Sequence, residues 1–274
     1  MADIFKEIDS MKVAAIQMIS SADMTHNIAR AAQLLQDAKQ RGAELILMPE
    51  YWPLMGMQDT DKIAAAEANG TGKMQSFMAE QAKQLGVWLI GGTVPLVSDE
   101  PDKVLNTTLV FDPSGRQIAR YDKIHLFGFT KGDESYQESK TITPGKQVVS
   151  FEAGFGRVGL SVCYDLRFPE MYRAMGSCAL IVVPAAFTYT TGQAHWEILL
   201  RARAIENQCY VLASAQGGVH QNGRRTWGHS MLIDPWGKII EVLPEGEGVI
   251  AGEIDLHALD VIRTSLPALK HRTM

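Results

Sequence analysis

The chain has 274 residues, 46% of them apolar and 21% charged, enough for one large domain or two small ones with an ordinary core. A formal net charge of −5 without any basic tract argues against a nucleic-acid partner or a membrane surface. No apolar run approaches the roughly 18 residues that span a bilayer, and the opening MADIFKEIDS holds no apolar core of a secretory signal.

Residues 1–10 read as an amino-terminal extension and 11–274 as a single domain, since no linker, low-complexity tract or charge block divides the chain. MKVAAIQM (11–18) reads as a first buried strand. A helix is expected over about 27–41, with Ile28, Ala31, Leu35 and Ala38 on one face and Gly42 closing it. ELILMPE then forms a strand broken by Pro49, with Glu50 at its end, and the aromatic, Met-rich YWPLMGMQDTD after it suits a pocket wall or simple loop packing.

A helix over about 73–85 ends at Gly86 and leads into the strand VWLIGGTVP. Two strands flank an Asp-Pro-Ser-Gly turn, and Lys123 ends the second. Residues 126–146 show no periodicity and read as a long functional or mobile loop. GLSV then runs into Cys163, and Pro169 opens a short helix. After the strand ALIVVPAA, a helix over about 193–207 carries apolar residues round much of its surface, which predicts a subunit contact as well as a core contact. The strand CYVLASA, a turn at Asn222-Gly223, a hairpin around Asp-Pro-Trp-Gly and the strand VIAGEID complete the pattern. Strands outnumber helices and hairpins mix with strand–helix–strand units, so the expected class is α/β with a mixed sheet or two sheets and helices outside.

Gly154, Gly156 and Gly159 match the G-x-G-x-x-G dinucleotide fingerprint, but a hairpin turn precedes a strand here, so they read as turn residues. No P-loop, H-E-x-x-H or G-x-S-x-G is present, and Asn106-Thr107-Thr108 matches a glycosylation acceptor that has no meaning without a signal peptide. His125 and His195 read as structural, and no His pair has metal-ligand spacing. Cys163, Cys178 and Cys209 are too few and too scattered for a disulfide framework or a zinc cluster, which points to the reducing cytoplasm. Cys178 and Cys209 sit in apolar runs, whereas Cys163 sits where a strand gives way to a polar turn. A thiol there can become a thiolate beside free backbone amides, although a buried core cysteine is the plainer alternative. Glu50, Lys123 and Cys163 all end apolar strands, and a carboxylate, a lysine and a thiol are the parts for acyl transfer through a thioester.

MPE ending at Glu50, YDKIHLF containing Lys123 and SVCYDLRFPE containing Cys163 resemble, in order and interval, the three signature segments of the nitrilase (carbon–nitrogen hydrolase) superfamily. The resemblance runs from about Lys12 to Arg272. It implies a four-layer α-β-β-α sandwich of two mixed sheets, a homodimer formed through helices, a Glu-Lys-Cys triad and no metal or organic cofactor. It also implies a second glutamate, placed by YQESK at Glu138 with Glu134 as the competing candidate. Tyr-Asp after Cys163 resembles the amidase-type branches more than true nitrilases, with another hydrolase of the superfamily, a nitrilase or a carbamoylase, as an alternative. FTYTTGQAHWEILLRARAIENQCYV and WGHSMLIDPWG look most like deaminated-glutathione amidases, with ω-amidases acting on α-ketoglutaramate or α-ketosuccinamate as runner-up. The implied substrate is a small-molecule amide. Tyr164 would give an oxyanion N–H, Arg167 would hold a substrate carboxylate, and Phe187 and Thr191 would line the pocket.

Overall fold

The computed structural model describes residues 9–132 and 134–273. In chain order come β1 (Ser10–Gln17), α1 (Met24–Gln40), β2 (Leu45–Leu47), α2 (Asp61–Ala64), α3 (Lys73–Leu85), β3 (Trp88–Ile90), β4 (Val94–Val97), β5 (Val104–Phe111) and β6 (Gln117–Asp122). The short strands β7 (Gly128–Lys131) and β8 (Glu134–Gln137) follow, then β9 (Ser150–Ala153), β10 (Gly156–Leu160), α4 (Pro169–Ala174) and β11 (Leu180–Ala185). The chain closes with α5 (Tyr189–Asn207), β12 (Tyr210–Ala215), β13 (Ser230–Ile233), β14 (Ile239–Leu243), β15 (Gly248–Asp255) and α6 (Leu256–Ser265).

Two mixed sheets face each other. One runs β15-β1-β2-β3-β5-β4 with β6 paired to β5, and the other runs β14-β13-β12-β11-β10-β9. The period-2 alternation of β1 shows why they stack. Val13 and Ala15 join the core shared with β10–β12, while Ala14 and Ile16 point the other way, onto α1 and α3. Trp196, Leu200 and Ala204 of α5 pack on the outer side of the second sheet. The result is the α-β-β-α sandwich expected from the resemblance.

Several boundaries move, each for a local reason. Ser10 already pairs with Asp255, so the sheet starts inside the expected extension, whose residues 1–8 lie outside the described residues. α1 starts at Met24 because the Asp23 carboxylate caps the amides of Thr25 and His26. Thr188 caps α5 a turn earlier than apolar spacing suggests, which brings Thr191 and Gly192 into the helix. VWLIGGTVP is two strands, not one, because Gly91-Gly92 folds against Pro49.

The expected loop over 126–146 instead begins as a two-stranded antiparallel ribbon, β7–β8, followed by a 3-10 turn at Glu138–Lys140. The ribbon is short and mostly exposed, so it leaves no burial period in the sequence; Phe129 opposite Tyr136 supplies its cross-strand contact. The glycines of the apparent dinucleotide motif lie in the β9–β10 hairpin, with Gly159 inside β10 where the motif needs the start of a helix. On α5, Ile198 and Ile205 remain 70% and 50% exposed, and Trp236 of the β13–β14 turn is 63% exposed. Among the described residues no helix is long and apolar enough to cross a membrane.

The Gly91-Gly92 fold braces the end of β2. Gly92 has φ +54, and a Cβ there would lie 2.1 Å from the Pro49 carbonyl oxygen and 2.8 Å from that of Met48. Gly70 also has positive φ, at +84, but faces open space. Gly92→Ala should therefore lower unfolding free energy by about 2–4 kcal/mol, against about 1 kcal/mol for Gly70→Ala. Urea unfolding of the two variants checks the difference, and equal losses would remove the clash from the account.

Candidate active site

Five strand ends converge on one spot. Glu50 follows β2, Lys123 follows β6, Cys163 follows β10, Ala186 follows β11 and Gln216 follows β12. Glu50 and Lys123 are both 0% exposed. Such groups are tolerated only when every donor and acceptor is met. Lys123 Nζ lies 2.9 Å from Glu50 Oε1 and 3.0 and 2.8 Å from the two oxygens of Glu138. Glu50 also accepts from Asn106 Nδ2 and from the Ala186 amide, both at 2.9 Å, while Gln216 Nε2 donates to its carbonyl. Glu138 accepts from the Tyr51 hydroxyl at 2.7 Å and from the Phe127 amide at 2.7 Å.

These contacts distinguish the two candidate glutamates by position. Glu138 is at Lys123, whereas Glu134 accepts from Thr190 Oγ1. Burial alone would lower the Lys123 ammonium's pKa, but the carboxylates of Glu138 and Glu50 outweigh it and hold the charge firmly. Burial would likewise raise Glu138, and Lys123 together with the hydrogen bonds reverses this to a lowered value.

Cys163 opens a 3-10 turn (Cys163–Arg167) directly, with φ +50, a left-handed backbone that only glycine adopts freely. The first amides of such a turn, those of Cys163 and Tyr164, have no helical partner. Asp165 locks this geometry. Fully buried, it accepts from the Val162 amide, the Tyr121 hydroxyl and the His125 amide, and His125 Nδ1 lies 2.7 Å from it. Arg203 of α5 donates twice to the Leu166 carbonyl and so pins the turn from the other side. His125 thus has the structural place expected of it, stacked on Phe168 with ring centroids 3.7 Å apart.

A narrow cleft beside Cys163 is lined by Phe127, Tyr164, Ala186, Phe187, Thr188 and Thr191. The Arg167 guanidinium sits 5.7 Å from the Tyr164 ring and 5.4 Å from the Phe187 ring, with Nη1 3.2 Å from His195 Nδ1. Phe127 lines both the cleft and a wider cavity of about 410 Å³, whose wall includes Tyr51, Lys62, Glu134, Tyr136, Glu138 and Arg224. The segment after Glu50, open between pocket wall and loop packing in the sequence, contributes to this wall, and the β7–β8 ribbon supplies another part. Among the described residues no group of three His, Cys, Asp or Glu is placed to hold a metal.

Sequence reasoning passes over Tyr51, Asn106, Asp165 and Arg224. Asn106 is the instructive one. It is part of the apparent glycosylation triplet, yet it is 2% exposed and bonded to Glu50; a run of three polar residues inside an apolar strand was the available signal.

The thiol is harder to ionise than an ordinary cysteine. Burial, then the charge of Glu50, raise the Cys163 pKa well above that of an ordinary thiol, and Lys123 offsets this only in part. The resting group is therefore a neutral S–H. Alkylation of free enzyme by iodoacetamide should rise with pH through about pH 6 to 9 without levelling, because thiolate is the attacking form. A plateau below about pH 7 would reveal a preformed thiolate instead.

The same architecture recurs in proteins of known class. The family model described as Carbon-nitrogen hydrolase matches residues 12–264. A deaminated glutathione amidase of Yersinia enterocolitica is 42% identical over 264 residues, covering 94% of this chain and 92% of that protein. Human omega-amidase NIT2 is 35% identical over 275 residues, covering 96% and 95%. The crystal structure of Saccharomyces cerevisiae Nit3, a member of branch 10 of the nitrilase superfamily, superposes with a TM-score of 0.87 at 29% identity and covers 100% of both chains. Sequence and fold agree over the whole domain: the chain belongs to the carbon–nitrogen hydrolase (nitrilase) superfamily and is an amidase.

Proposed function

We propose that this amidase hydrolyses the ω-amide of an α-keto acid through a thioester on Cys163, with deaminated glutathione as the substrate. The observation that carries the mechanism is the single buried cluster in which Glu50 and Lys123 bond each other, with the Glu50 charge raising the Cys163 thiol. Glu50 takes the thiol proton as Sγ attacks the amide carbon. Lys123 Nζ and the Tyr164 N–H hold the oxyanion. Collapse breaks the C–N bond, and Glu50 passes its proton to the departing amine. Water then attacks the thioester, with Glu50 taking a proton from it and returning one to Sγ. Glu138 keeps Lys123 charged and oriented throughout.

Arg167 supports the substrate class. A guanidinium over the rings of Tyr164 and Phe187, at the edge of the cleft that holds Cys163, suits a carboxylate several bonds from the scissile amide. Thr191, whose hydroxyl lies 2.9 Å from that of Thr188, gives the cleft a polar wall. The relatives named as deaminated glutathione amidases favour the larger keto-acid amide over α-ketoglutaramate.

The test compares kcat/KM for deaminated glutathione, α-ketoglutaramate and an aliphatic nitrile. Cys163→Ala should abolish hydrolysis, while Cys178→Ala and Cys209→Ala should affect stability more than chemistry. Arg167→Ala should weaken both keto-acid amides by roughly 1.5–3 kcal/mol, the loss of a hydrogen bond to a charged group. Equal activity on neutral aliphatic amides, unaffected by Arg167→Ala, would overturn the substrate class and leave the thiol mechanism standing. A preference for α-ketoglutaramate would shift the assignment to ω-amidase.

We also propose a homodimer across α5, supported by the exposure of Ile198 and Ile205, seven residues apart on one face, and of Trp236. Gly237 lies against Ile205, where a Cβ would come within 2.6 Å of the Ile205 side chain, so the turn and the helix form one apolar surface. Sedimentation at micromolar concentration should give a dimer, and Ile198→Asp with Ile205→Asp should give a folded monomer. Wild-type monomer at that concentration would end this proposal.

A further inference from the structure

We propose that Arg224, assisted by Lys62, binds a carboxylate on the departing amine, which makes the wide cavity a subsite for anionic leaving groups. The proposal rests on the reading that the substrate is a keto-acid amide with a substituted, peptide-like amine.

Arg224 follows the turn at Asn222-Gly223 and reaches back to the active centre. Its Nη2 donates to the Ala186 carbonyl at 2.9 Å, and the amide of that same residue donates to Glu50. Its guanidinium lies 5.0 Å from the Tyr136 ring. Its Nε is buried without a hydrogen-bond partner, the one such side-chain nitrogen or oxygen among the described residues. Buried donors are nearly always met, and an unmet one beside a cavity points to a missing acceptor.

Lys62 is on the same wall. Its Nζ donates to Thr141 Oγ1 at 3.3 Å and lies 5.6 Å from the Tyr51 ring. Burial pushes the ammonium's pKa down, with Asp59 and Glu138 opposing. Neither cation forms an ion pair among the described residues.

Three acids share the wall with these cations: Glu138 is committed to Lys123, Glu134 accepts from Thr190, and Asp59 is solvent-exposed, so none of them forms an ion pair with Arg224 or Lys62. A guanidinium presents a planar fork that matches a carboxylate, and an ammonium adds a point charge. Ammonia, the product from a primary amide, needs neither the 410 Å³ nor the cations. Cysteinylglycine leaving from deaminated glutathione carries a terminal carboxylate and needs both. Arg167 and Arg224 thus divide the substrate between the narrow cleft and the wide cavity, with the scissile bond at Cys163.

The experiment measures one ratio: kcat/KM for deaminated glutathione over kcat/KM for its glycinamide analogue, in which the terminal carboxylate is a neutral carboxamide. Wild-type enzyme should favour the carboxylate by about tenfold or more, the scale of a charge-assisted hydrogen bond. Arg224→Gln should bring the ratio close to one, mainly through KM, with Arg224→Lys restoring part of it and Lys62→Met lowering it less. A wild-type ratio near one, or a ratio unchanged in Arg224→Gln, overturns the subsite, and the wild-type measurement decides even if the variant fails to fold. Should wild-type enzyme ignore both keto-acid compounds, the substrate reading fails by itself. The same ratio is then taken on N-carboxymethyl and N-ethyl amides of whichever acid is hydrolysed, and a ratio near one there overturns the subsite separately.

Discussion

Everything in the site depends on one ammonium group. Lys123 is buried completely, between two carboxylates belonging to segments 88 residues apart in sequence numbering, Glu50 and Glu138. Without it two acids would share a low-dielectric space with nothing to offset them, and breaking a buried pair of this kind costs on the order of 3–5 kcal/mol. Lys123 therefore fixes the end of β2 and the turn after β8 as firmly as any apolar contact does. It also sets the charge of the cluster at one net negative. Ionising Cys163 to solvent would add a second, which is why the thiol is pushed up. Moving the thiol proton onto Glu50 leaves the total unchanged. The cluster resists a free thiolate and permits an internal proton transfer, and that is the step the proposed chemistry needs.

The sandwich brings these groups together because of where its parallel strands end. β1, β2 and β3 run parallel in one sheet, and β10, β11 and β12 in the other. The carboxyl ends of parallel strands leave their backbone groups open, so side chains just beyond them can converge. Met18, one residue past β1, forms an isolated parallel bridge to Gln216, one residue past β12, so the two sheets meet at that edge. Gln216 then bonds the Glu50 carbonyl and the Ser20 hydroxyl. The site is built where the two sheets join, and its rigidity comes from both.

Glu50, Lys123 and Cys163 were legible because each interrupts an apolar run with chemistry that a strand end rarely needs. The layer order followed from the resemblance, and the hairpins from their Asp-Pro and Asn-Gly turns. What stayed hidden depends on distance in sequence. Asp165 reads as an ordinary turn residue until the fold places Tyr121 and His125 on its oxygens, and Tyr51 reads as loop packing until Glu138 arrives. The β7–β8 ribbon was invisible for another reason: exposed strands that pair only with each other have no buried face, so no period is imposed on them. Cap residues decided the helix starts. Asp23 and Thr188 overrode the apolar spacing because an unmet amide costs more than an extra polar residue in the first turn.

The three cysteines show what kind of evidence supports the proposed nucleophile. All are buried and all have raised pKa values, Cys178 to about 11 and the other two by the same dominant cause, loss of solvent. A search for a depressed thiol would reject every one. What separates Cys163 is position: a left-handed backbone at a strand end, amides without helical partners beside it, and the charges of Glu50 and Lys123 acting on its thiol. Cys178 has the Met175 carbonyl for a neighbour, and Cys209 lies in the apolar core just before β12. The resting pKa describes how strongly the site avoids charge before the substrate arrives. The geometry describes where charge can go once a carbonyl oxygen lies near Lys123, and the proposed choice of Cys163 rests on that second property.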